Sequence, residues 1–299
     1  MSNVPAAPVE WTIARLLAWT ADHLDRRGIA EGRLASEVLL SRALECPRIQ
    51  LYTRMNDCPP PARLDAFRES VKRAAAGEPI AYVVGEKEFF SLTFRVTSDV
   101  LIPRPETETL VERVIDHCQA LGLENAAIWD LCTGSGCVAV SVLKHVPSAR
   151  VVASDISEPA LAVARANAER HQVADRFSGI CADGLALPRE AVPESGFDVL
   201  VCNPPYIPSG SVAGLDKGIR DYEPRIALTD EADGLCFYRV LAAGAQARLS
   251  ANGVVMVEVA DDRAAAVVEI FTARPEWVHR QSVRDRVTGR ERVVVVSRA

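Results

Sequence analysis

The chain has 299 residues, of which 48% are hydrophobic and 25% are charged, and its formal net charge is −6. This composition is too apolar for a disordered protein, and the length predicts an α/β domain of roughly 200 residues with a smaller second domain. The negative net charge argues against a surface built to neutralise nucleic-acid phosphates, so we expect no direct nucleic-acid partner.

No apolar run reaches the length of a membrane span, and the first ten residues lack the basic and apolar regions of a signal peptide. We therefore expect a cytoplasmic protein without a membrane partner, acting as a monomer. The eight cysteines contain no Cys-x-x-Cys pair and have no histidine at zinc-like spacing. We expect them to be reduced, and we expect no metal site.

Residues 1–85 contain apolar residues at helical spacing in three stretches. The first consists of Trp11, Ala14, Leu17, Ala18, Ala21 and Leu24, the second of Leu34, Val38, Leu39 and Leu44, and the third of Leu64, Phe67, Val71 and Ala74. Gly28 follows the first stretch where a C-terminal cap is expected, Pro47 follows the second, and Gly77 follows the third. This part of the chain is predicted to form a small, all-helical domain.

Residues 86–103 are predicted to form a β-hairpin connector. Phe89–Leu92 and Thr93–Val96 are rich in aromatic and β-branched residues, which is typical of short strands.

From residue 104 to residue 299, helical stretches alternate with short strands rich in Val, Ile and Ala. The candidate strands are Ala127–Leu131, Arg150–Ser154, Phe177–Cys181, Phe197–Cys202, Gly253–Val259, Trp277–Val283 and Arg292–Ser297. This alternation predicts a doubly wound, seven-stranded, mostly parallel sheet with right-handed crossovers. Only a turn at Thr288-Gly289 separates the last two strands, which predicts an antiparallel hairpin at one edge. Ligands bind beyond the carboxyl ends of the strands in such sheets.

The loop Cys132-Thr133-Gly134-Ser135-Gly136 is the first candidate site, because it joins the first strand of this sheet to a helix. Its glycines let the backbone approach a ligand over the N terminus of the helix. Asp155 ends the next strand and is placed to accept hydrogen bonds from ribose hydroxyls. Taken alone, these residues also fit a dinucleotide site or a tight turn without a ligand.

Asp130 favours a different cofactor. An acid at the end of the first strand suits a cationic ammonium group better than a pyrophosphate, and the methionine part of S-adenosyl-L-methionine carries such a group. Asp183, followed by Gly184 after the third strand, can accept from an adenine amino group, although a solvated turn residue is an equal interpretation. The predicted cofactor-binding residues are Asp130, Cys132, Thr133, Gly134, Ser135, Gly136, Asp155, Asp183, Gly184 and Asn203.

The most specific motif is Asn203-Pro204-Pro205-Tyr206, which follows the fourth strand. Two prolines fix the backbone and supply carbonyls without N–H donors beside them. A planar NH2 group can donate one hydrogen to the Asn203 side-chain oxygen and the other to the Pro204 carbonyl, while Tyr206 stacks on its face. Because an amide nitrogen is a poor nucleophile, two acceptors on its hydrogens help as positive charge develops. These four residues are the predicted catalytic and acceptor-binding site.

With these motifs, the chain resembles the protein N5-glutamine methyltransferases of the HemK/PrmC type. The similar blocks are Gly77–Tyr82, Val100–Glu108, Asp130–Gly136, Asn203–Pro208 and Asp221–Leu228. The Pro-Arg-Pro-Glu-Thr-Glu run at 103–108 is more similar to the branch that acts on peptide chain release factors than to the branch that acts on ribosomal proteins. The resemblance implies methylation of the glutamine in the Gly-Gly-Gln loop of a release factor, with the helical domain holding that protein substrate.

The resemblance also implies that Pro105 contributes to the acceptor pocket, whereas Glu106 can equally cap the following helix. Cys132 stands where the family usually has a glycine, and Gly184 stands where it often has an aromatic residue. Glu258 is given no role beyond shaping the site. Two alternatives are enzymes that methylate another acceptor, either a ribosomal protein or the amino group of a nucleic-acid base. The others are a dehydrogenase that binds NAD and a binding module without catalytic activity.

Overall fold

The computed structural model describes residues 10–123 and 125–299. Its helices are α1 (Ile13–Arg26), α2 (Gly32–Leu44), α3 (Arg48–Thr53), α4 (Pro61–Ala75), α5 (Ile80–Val84), α6 (Glu108–Ala120), α7 (Cys137–His145), α8 (Glu158–Arg170), α9 (Lys217–Tyr222), α10 (Cys236–Gly244) and α11 (Ala264–Thr272). Its strands are β1 (Glu86–Phe89), β2 (Leu92–Arg95), β3 (Ala127–Leu131), β4 (Arg150–Asp155), β5 (Phe177–Cys181), β6 (Phe197–Cys202), β7 (Leu249–Glu258), β8 (Trp277–Arg284) and β9 (Glu291–Arg298).

The described residues divide into two compact units. One comprises the chain up to Gly85 together with α9, and the other comprises Glu86–Asp216 with Glu223–Ala299. The functional division into 1–85, 86–103 and 104–299 stays a prediction. Among the described residues, no helix combines the length and apolarity needed to cross a membrane.

The first unit is all-helical and has its own apolar core. In α1 the buried residues are Ile13, Leu16, Leu17, Thr20 and Leu24, so the predicted stripe through Ala14, Ala18 and Ala21 is wrong over most of its length. The larger side chains take the inward face because they remove more apolar surface from water than alanine does.

The other predicted stripes of this unit have mixed outcomes. Leu34 of the second stripe is 39% exposed, whereas Phe67, Val71 and Ala74 of the third are buried as predicted. Helices α3 and α5 were not predicted; they are only six and five residues long and follow prolines. Helices this short show no periodicity by which to recognise them.

The hairpin of β1 and β2 is antiparallel, but the predicted strand bounds are wrong. Phe89 pairs with Leu92, so the turn falls inside the first predicted strand. Its residues Phe90 and Ser91 have φ of +49° and +60°, a conformation that usually requires Gly or Asn. The Glu108 carboxylate accepts the Phe90 N–H at 2.8 Å and so stabilises this unusual turn.

The second unit contains a seven-stranded sheet of order β5-β4-β3-β6-β7-β9-β8. Strands β3 to β7 are parallel, and β9 runs antiparallel to both β7 and β8, which confirms the predicted edge hairpin. In β6, Val199 and Val201 belong to one apolar core cluster while Leu200 and Cys202 belong to another. Both faces of the sheet are therefore covered, as expected for parallel strands.

The register of the parallel strands brings their carboxyl ends to one edge. Leu131 of β3 pairs with Ser154 of β4 and with Cys202 of β6, and Cys202 also pairs with Val257 of β7. The segments that follow these strands consequently begin side by side, and they contain most of the predicted site residues.

Candidate active site

A pocket of about 290 Å³ lies at the carboxyl edge of the sheet. This volume is near the lower end of the range of roughly 300–1,000 Å³ that small-molecule sites occupy. The predicted site residues that line it are Asp130, Cys132, Thr133, Gly134, Ser135, Asp155, Asp183, Gly184, Asn203 and Pro205. Four predicted residues, Gly136, Pro204, Tyr206 and Pro105, are outside its lining. Thr107, Asp230 and Phe237 line it without having been predicted.

The loop after β3 adopts left-handed backbone conformations at three of its five residues. Gly134 and Gly136 have φ of +52° and +76°, and a Cβ atom on Gly136 would lie 3.0 Å from the Cβ of Ala164. Cys132 has φ of +60°, a conformation that costs a residue with a Cβ roughly 1–2 kcal/mol. Cys132 thus replaces the family's usual glycine at a position where glycine would relieve backbone strain.

Asp130 is buried at the base of this loop, with only 2% of its surface exposed. Its Oδ2 accepts hydrogen bonds from the Thr133 hydroxyl at 2.6 Å and from the Ala139 N–H at 3.2 Å, so the carboxyl joins the loop to the first turn of α7. Burial raises the pKa of Asp130 to about 7, and these hydrogen bonds oppose that rise. A cation in the pocket would favour the charged form.

Ser135 and Asp155 complete the polar lining of the loop. The Ser135 hydroxyl is buried and makes no hydrogen bond to any described residue. Asp155 accepts the N–H groups of Gly134 and Ser157, each at 2.9 Å, while its burial raises its pKa. Asp155 therefore holds the loop in shape as well as facing the pocket.

Asp183 and Gly184 lie at the mouth of the pocket. The Asp183 side chain is exposed, and Gly184 has φ of +51° with open space where a side chain would begin. The predicted contact of Asp183 with an adenine amino group stays a prediction.

The turn Asn203–Tyr206 makes two side-chain hydrogen bonds that its sequence did not predict. Asn203 Nδ2 donates to the Thr107 hydroxyl at 3.2 Å, and the Tyr206 hydroxyl donates to Glu258 Oε1 at 3.3 Å. The Tyr206 ring packs against the core cluster that includes Trp129 and Leu200. Stacking of Tyr206 on an acceptor group stays a prediction.

Glu258 ends β7 and is 1% exposed. Burial raises its pKa to about 7, against the opposing effects of the Thr107 hydroxyl, the Arg292 charge and the Tyr206 hydroxyl. Its backbone carbonyl accepts the Tyr238 hydroxyl at 2.7 Å. Two signals could have found this group: Thr107 lies within the Pro-Arg-Pro-Glu-Thr-Glu run, and Glu258 is an acid at the carboxyl end of a central strand.

The segment from Leu228 to Cys236 packs against the Asn203–Tyr206 turn. Asp230 accepts the N–H groups of Ala232, Gly234 and Cys236 at 2.9–3.0 Å. Gly234 is required by close approach, since a Cβ there would lie 2.2 Å from the Tyr206 carbonyl oxygen.

Glu223 orders the segment that precedes Pro105. It is 5% exposed, accepts the Ile102 N–H at 3.2 Å and pairs with Arg104. Arg225 instead pairs with Glu231 on the surface at 2.6 Å.

Comparison with known proteins identifies two matching domain families. The PrmC N-terminal domain matches residues 15–85, and the methyltransferase small domain matches residues 107–214. A methyltransferase of known structure from Pyrococcus furiosus is 18% identical and covers 76% of this chain and 96% of that chain, with a TM-score of 0.50. At this identity the likeness concerns the fold alone, and the fold is that of a methyltransferase.

Whole-chain relatives are considerably more similar. A release factor glutamine methyltransferase from Geobacter sulfurreducens is 40% identical over 89% of this chain and 90% of that protein. Another from Neisseria gonorrhoeae is 42% identical over 79% of this chain and 83% of that protein. A third, from Moorella thermoacetica, is 38% identical over 96% of this chain and 99% of that protein.

Proposed function

This chain belongs to the release factor glutamine methyltransferase family, and from that membership we propose that it methylates the glutamine side-chain amide nitrogen, N5, in the Gly-Gly-Gln loop of peptide chain release factors. The methyl donor is S-adenosyl-L-methionine, and the product is S-adenosyl-L-homocysteine. The enzyme acts in the cytoplasm as a monomer, and the helical unit, residues 1–85, holds the protein substrate.

The donor set of the pocket fits this cofactor. Asp130 offers a buried carboxylate to the ammonium group, Asp155 offers one to ribose hydroxyls, and the unpartnered Ser135 hydroxyl provides a further polar group in the loop. Cys132, Thr133, Gly134 and Gly136 shape the backbone there, and Asp183 with Gly184 lies where the adenine would be held. When bound, S-adenosyl-L-methionine supplies an electrophilic methyl group on a sulfonium.

One observation carries the assignment of the acceptor: the Asn203 amide nitrogen is already engaged by Thr107. Its carbonyl oxygen is consequently left to accept a hydrogen from another group. An NH2 group that donates one hydrogen to this oxygen and the other to the Pro204 carbonyl is held in a fixed plane. Its nitrogen lone pair then points perpendicular to that plane. Asn203, Pro204, Pro205 and Tyr206 thereby orient the glutamine amide, and Pro105 lies in the chain between Arg104 and Thr107, which both line the pocket.

The electrostatic effect follows from the same contacts. As the N–C bond forms and the S–C bond breaks, positive charge develops on the acceptor nitrogen, and the two carbonyl oxygens stabilise it. The nitrogen becomes acidic at that stage and releases its extra proton to solvent. A base of high pKa is not needed.

Substitution of Asn203 by alanine tests this assignment. We expect Asn203→Ala to fold and to bind S-adenosyl-L-methionine, because Pro204 and Pro205 set the turn. Loss of one preorganised acceptor lowers turnover on the order of 10²–10³-fold. Turnover is measured on an intact release factor, with Asn252→Ala, at an exposed position in β7, as the matched control. Near-normal turnover of Asn203→Ala would refute the assigned role.

A further inference from the structure

Thr107, Asn203, Tyr206 and Glu258 form two hydrogen-bonded pairs of polar side chains at the pocket, which Thr107 and Asn203 line. Thr107 and Glu258 are 2% and 1% exposed, so bulk water has little access to them. Thr107 accepts from Asn203 at 3.2 Å, and Glu258 Oε1 accepts from Tyr206 at 3.3 Å. Glu258 Oε2 has no hydrogen-bond partner among the described residues.

A hydroxyl that accepts one hydrogen still has its own to donate. Among the groups around Glu258, the Thr107 hydroxyl most opposes the rise in the carboxyl pKa that burial causes, so the two side chains are neighbours. A carboxylate, once ionised, can only accept. The direction of every hydrogen in the set then follows from the charge on Glu258.

We propose that Thr107 and Glu258 are positioning residues that fix which way round the Asn203 amide stands. The Glu258 carboxylate draws the Thr107 hydrogen toward itself, the Thr107 oxygen therefore faces Asn203 Nδ2, and Asn203 Oδ1 is left facing the acceptor nitrogen. Tyr206 is held by the same carboxylate. The proposal rests on the proposed function, because it names what prepares Asn203 for a glutamine amide.

The reverse arrangement shows why the charge matters. A neutral group at position 258 can donate to Thr107, and Thr107 can then donate to Asn203 Oδ1. The Asn203 amide turns round in that case and presents N–H donors to the acceptor NH2 group, which also donates. Such a pair cannot form the hydrogen bond that orients the acceptor.

The first test replaces Thr107 by valine, which keeps the shape but removes the hydroxyl. We expect kcat on an intact release factor to fall by roughly 10–100-fold, as is typical when a supporting contact is lost. KM for S-adenosyl-L-methionine should stay within about twofold, and Thr107→Ser should recover most of the activity. Thr109→Val changes a buried threonine of α6, is the matched control, and should behave like the unsubstituted enzyme.

The second test replaces Glu258 by glutamine and combines it with the first. We expect Glu258→Gln to lower kcat by a similar factor, with Glu269→Gln on the exposed face of α11 as control. The double variant should lose no more than about twofold beyond the worse single variant, because both changes act through Asn203. Losses that multiply would show two independent structural effects and would overturn the proposal.

The pH dependence provides a readout that a purely structural role would not change. The groups facing Glu258 are Glu106, Thr107, Cys137, Tyr206, Tyr238 and Arg292. Burial raises the pKa values of the Glu258 and Asp130 carboxyl groups to about 7. We expect the kcat of the unsubstituted enzyme to rise through this range as Glu258 ionises, and Glu258→Gln to lose that part of the rise.

The outcomes separate this proposal from the function itself. If the unsubstituted enzyme methylates the factor and Thr107→Val retains full kcat, the positioning role is wrong and the function stands. If the unsubstituted enzyme leaves the factor unmethylated, the proposed function is wrong and the positioning role falls with it.

Discussion

Replacing Glu258 by glutamine should make the protein less sensitive to alkaline pH. The pKa of Glu258 is raised from an ordinary value of 4.5 to about 7, chiefly by burial. A carboxyl group with a raised pKa stabilises the folded state through its proton. That contribution is complete below the unfolded value and is lost as the pH rises through the folded value. Between about pH 5.5 and about pH 8.5, the contribution that disappears is on the order of 2 kcal/mol.

The assay is urea unfolding of the unsubstituted protein and Glu258→Gln at both pH values. Asp130 and Asp155, whose pKa values are also raised, titrate in both proteins and cancel in the comparison. The free energy of unfolding of the unsubstituted protein should fall by roughly 2 kcal/mol more than that of the variant, and Glu269→Gln should follow the unsubstituted protein. Parallel behaviour of Glu258→Gln and the unsubstituted protein would refute the reasoning, because Glu258 would then not titrate in this range.

Two further predictions concern the cofactor loop. Asp155→Ala removes the acceptor of the Gly134 and Ser157 N–H groups, so calorimetry should show S-adenosyl-L-methionine affinity weakened by roughly 1–3 kcal/mol, and unchanged affinity would remove Asp155 from the site. Cys132→Gly relieves about 1–2 kcal/mol of left-handed strain against about 0.5–1 kcal/mol of added backbone entropy. Thermal unfolding should place Cys132→Gly above Cys132→Ala, which keeps the strained backbone; the opposite order would contradict the strain argument.

The sequence predicted the sheet well because helices and turns separate most of its strands along the chain. The bounds of β3, β5 and β6 agree with the structure residue for residue. The predicted strand bounds of the hairpin were wrong because Phe90 and Ser91 occupy turn positions where Gly or Asn is normally found. A side chain from α6 stabilises that turn, and local sequence does not contain this information.

The same distinction between local and distant contacts applies to the site. Asn203 and Asp130 could be predicted because each follows or ends a strand, and strand order then brings them to one edge. Thr107 and Glu258 stand at positions that the sequence does mark, but their pairing could not be predicted, since the hydrogen bonds involved join residues 96 and 52 positions apart in the chain. Gly234 was likewise not predicted, because the Tyr206 carbonyl, which is distant in the chain, is what leaves no room for a side chain there.

The central claim is that the acceptor is the amide nitrogen of a glutamine in a release factor. The most direct measurement is methyl transfer from labelled S-adenosyl-L-methionine to an intact factor, followed by peptide mass spectrometry that locates the methyl group. We predict one added methyl group on the side chain of the glutamine in the Gly-Gly-Gln loop, and none when that glutamine is replaced. Methylation of a ribosomal protein or of DNA or RNA oligonucleotides, with none of the factor, would contradict the claim.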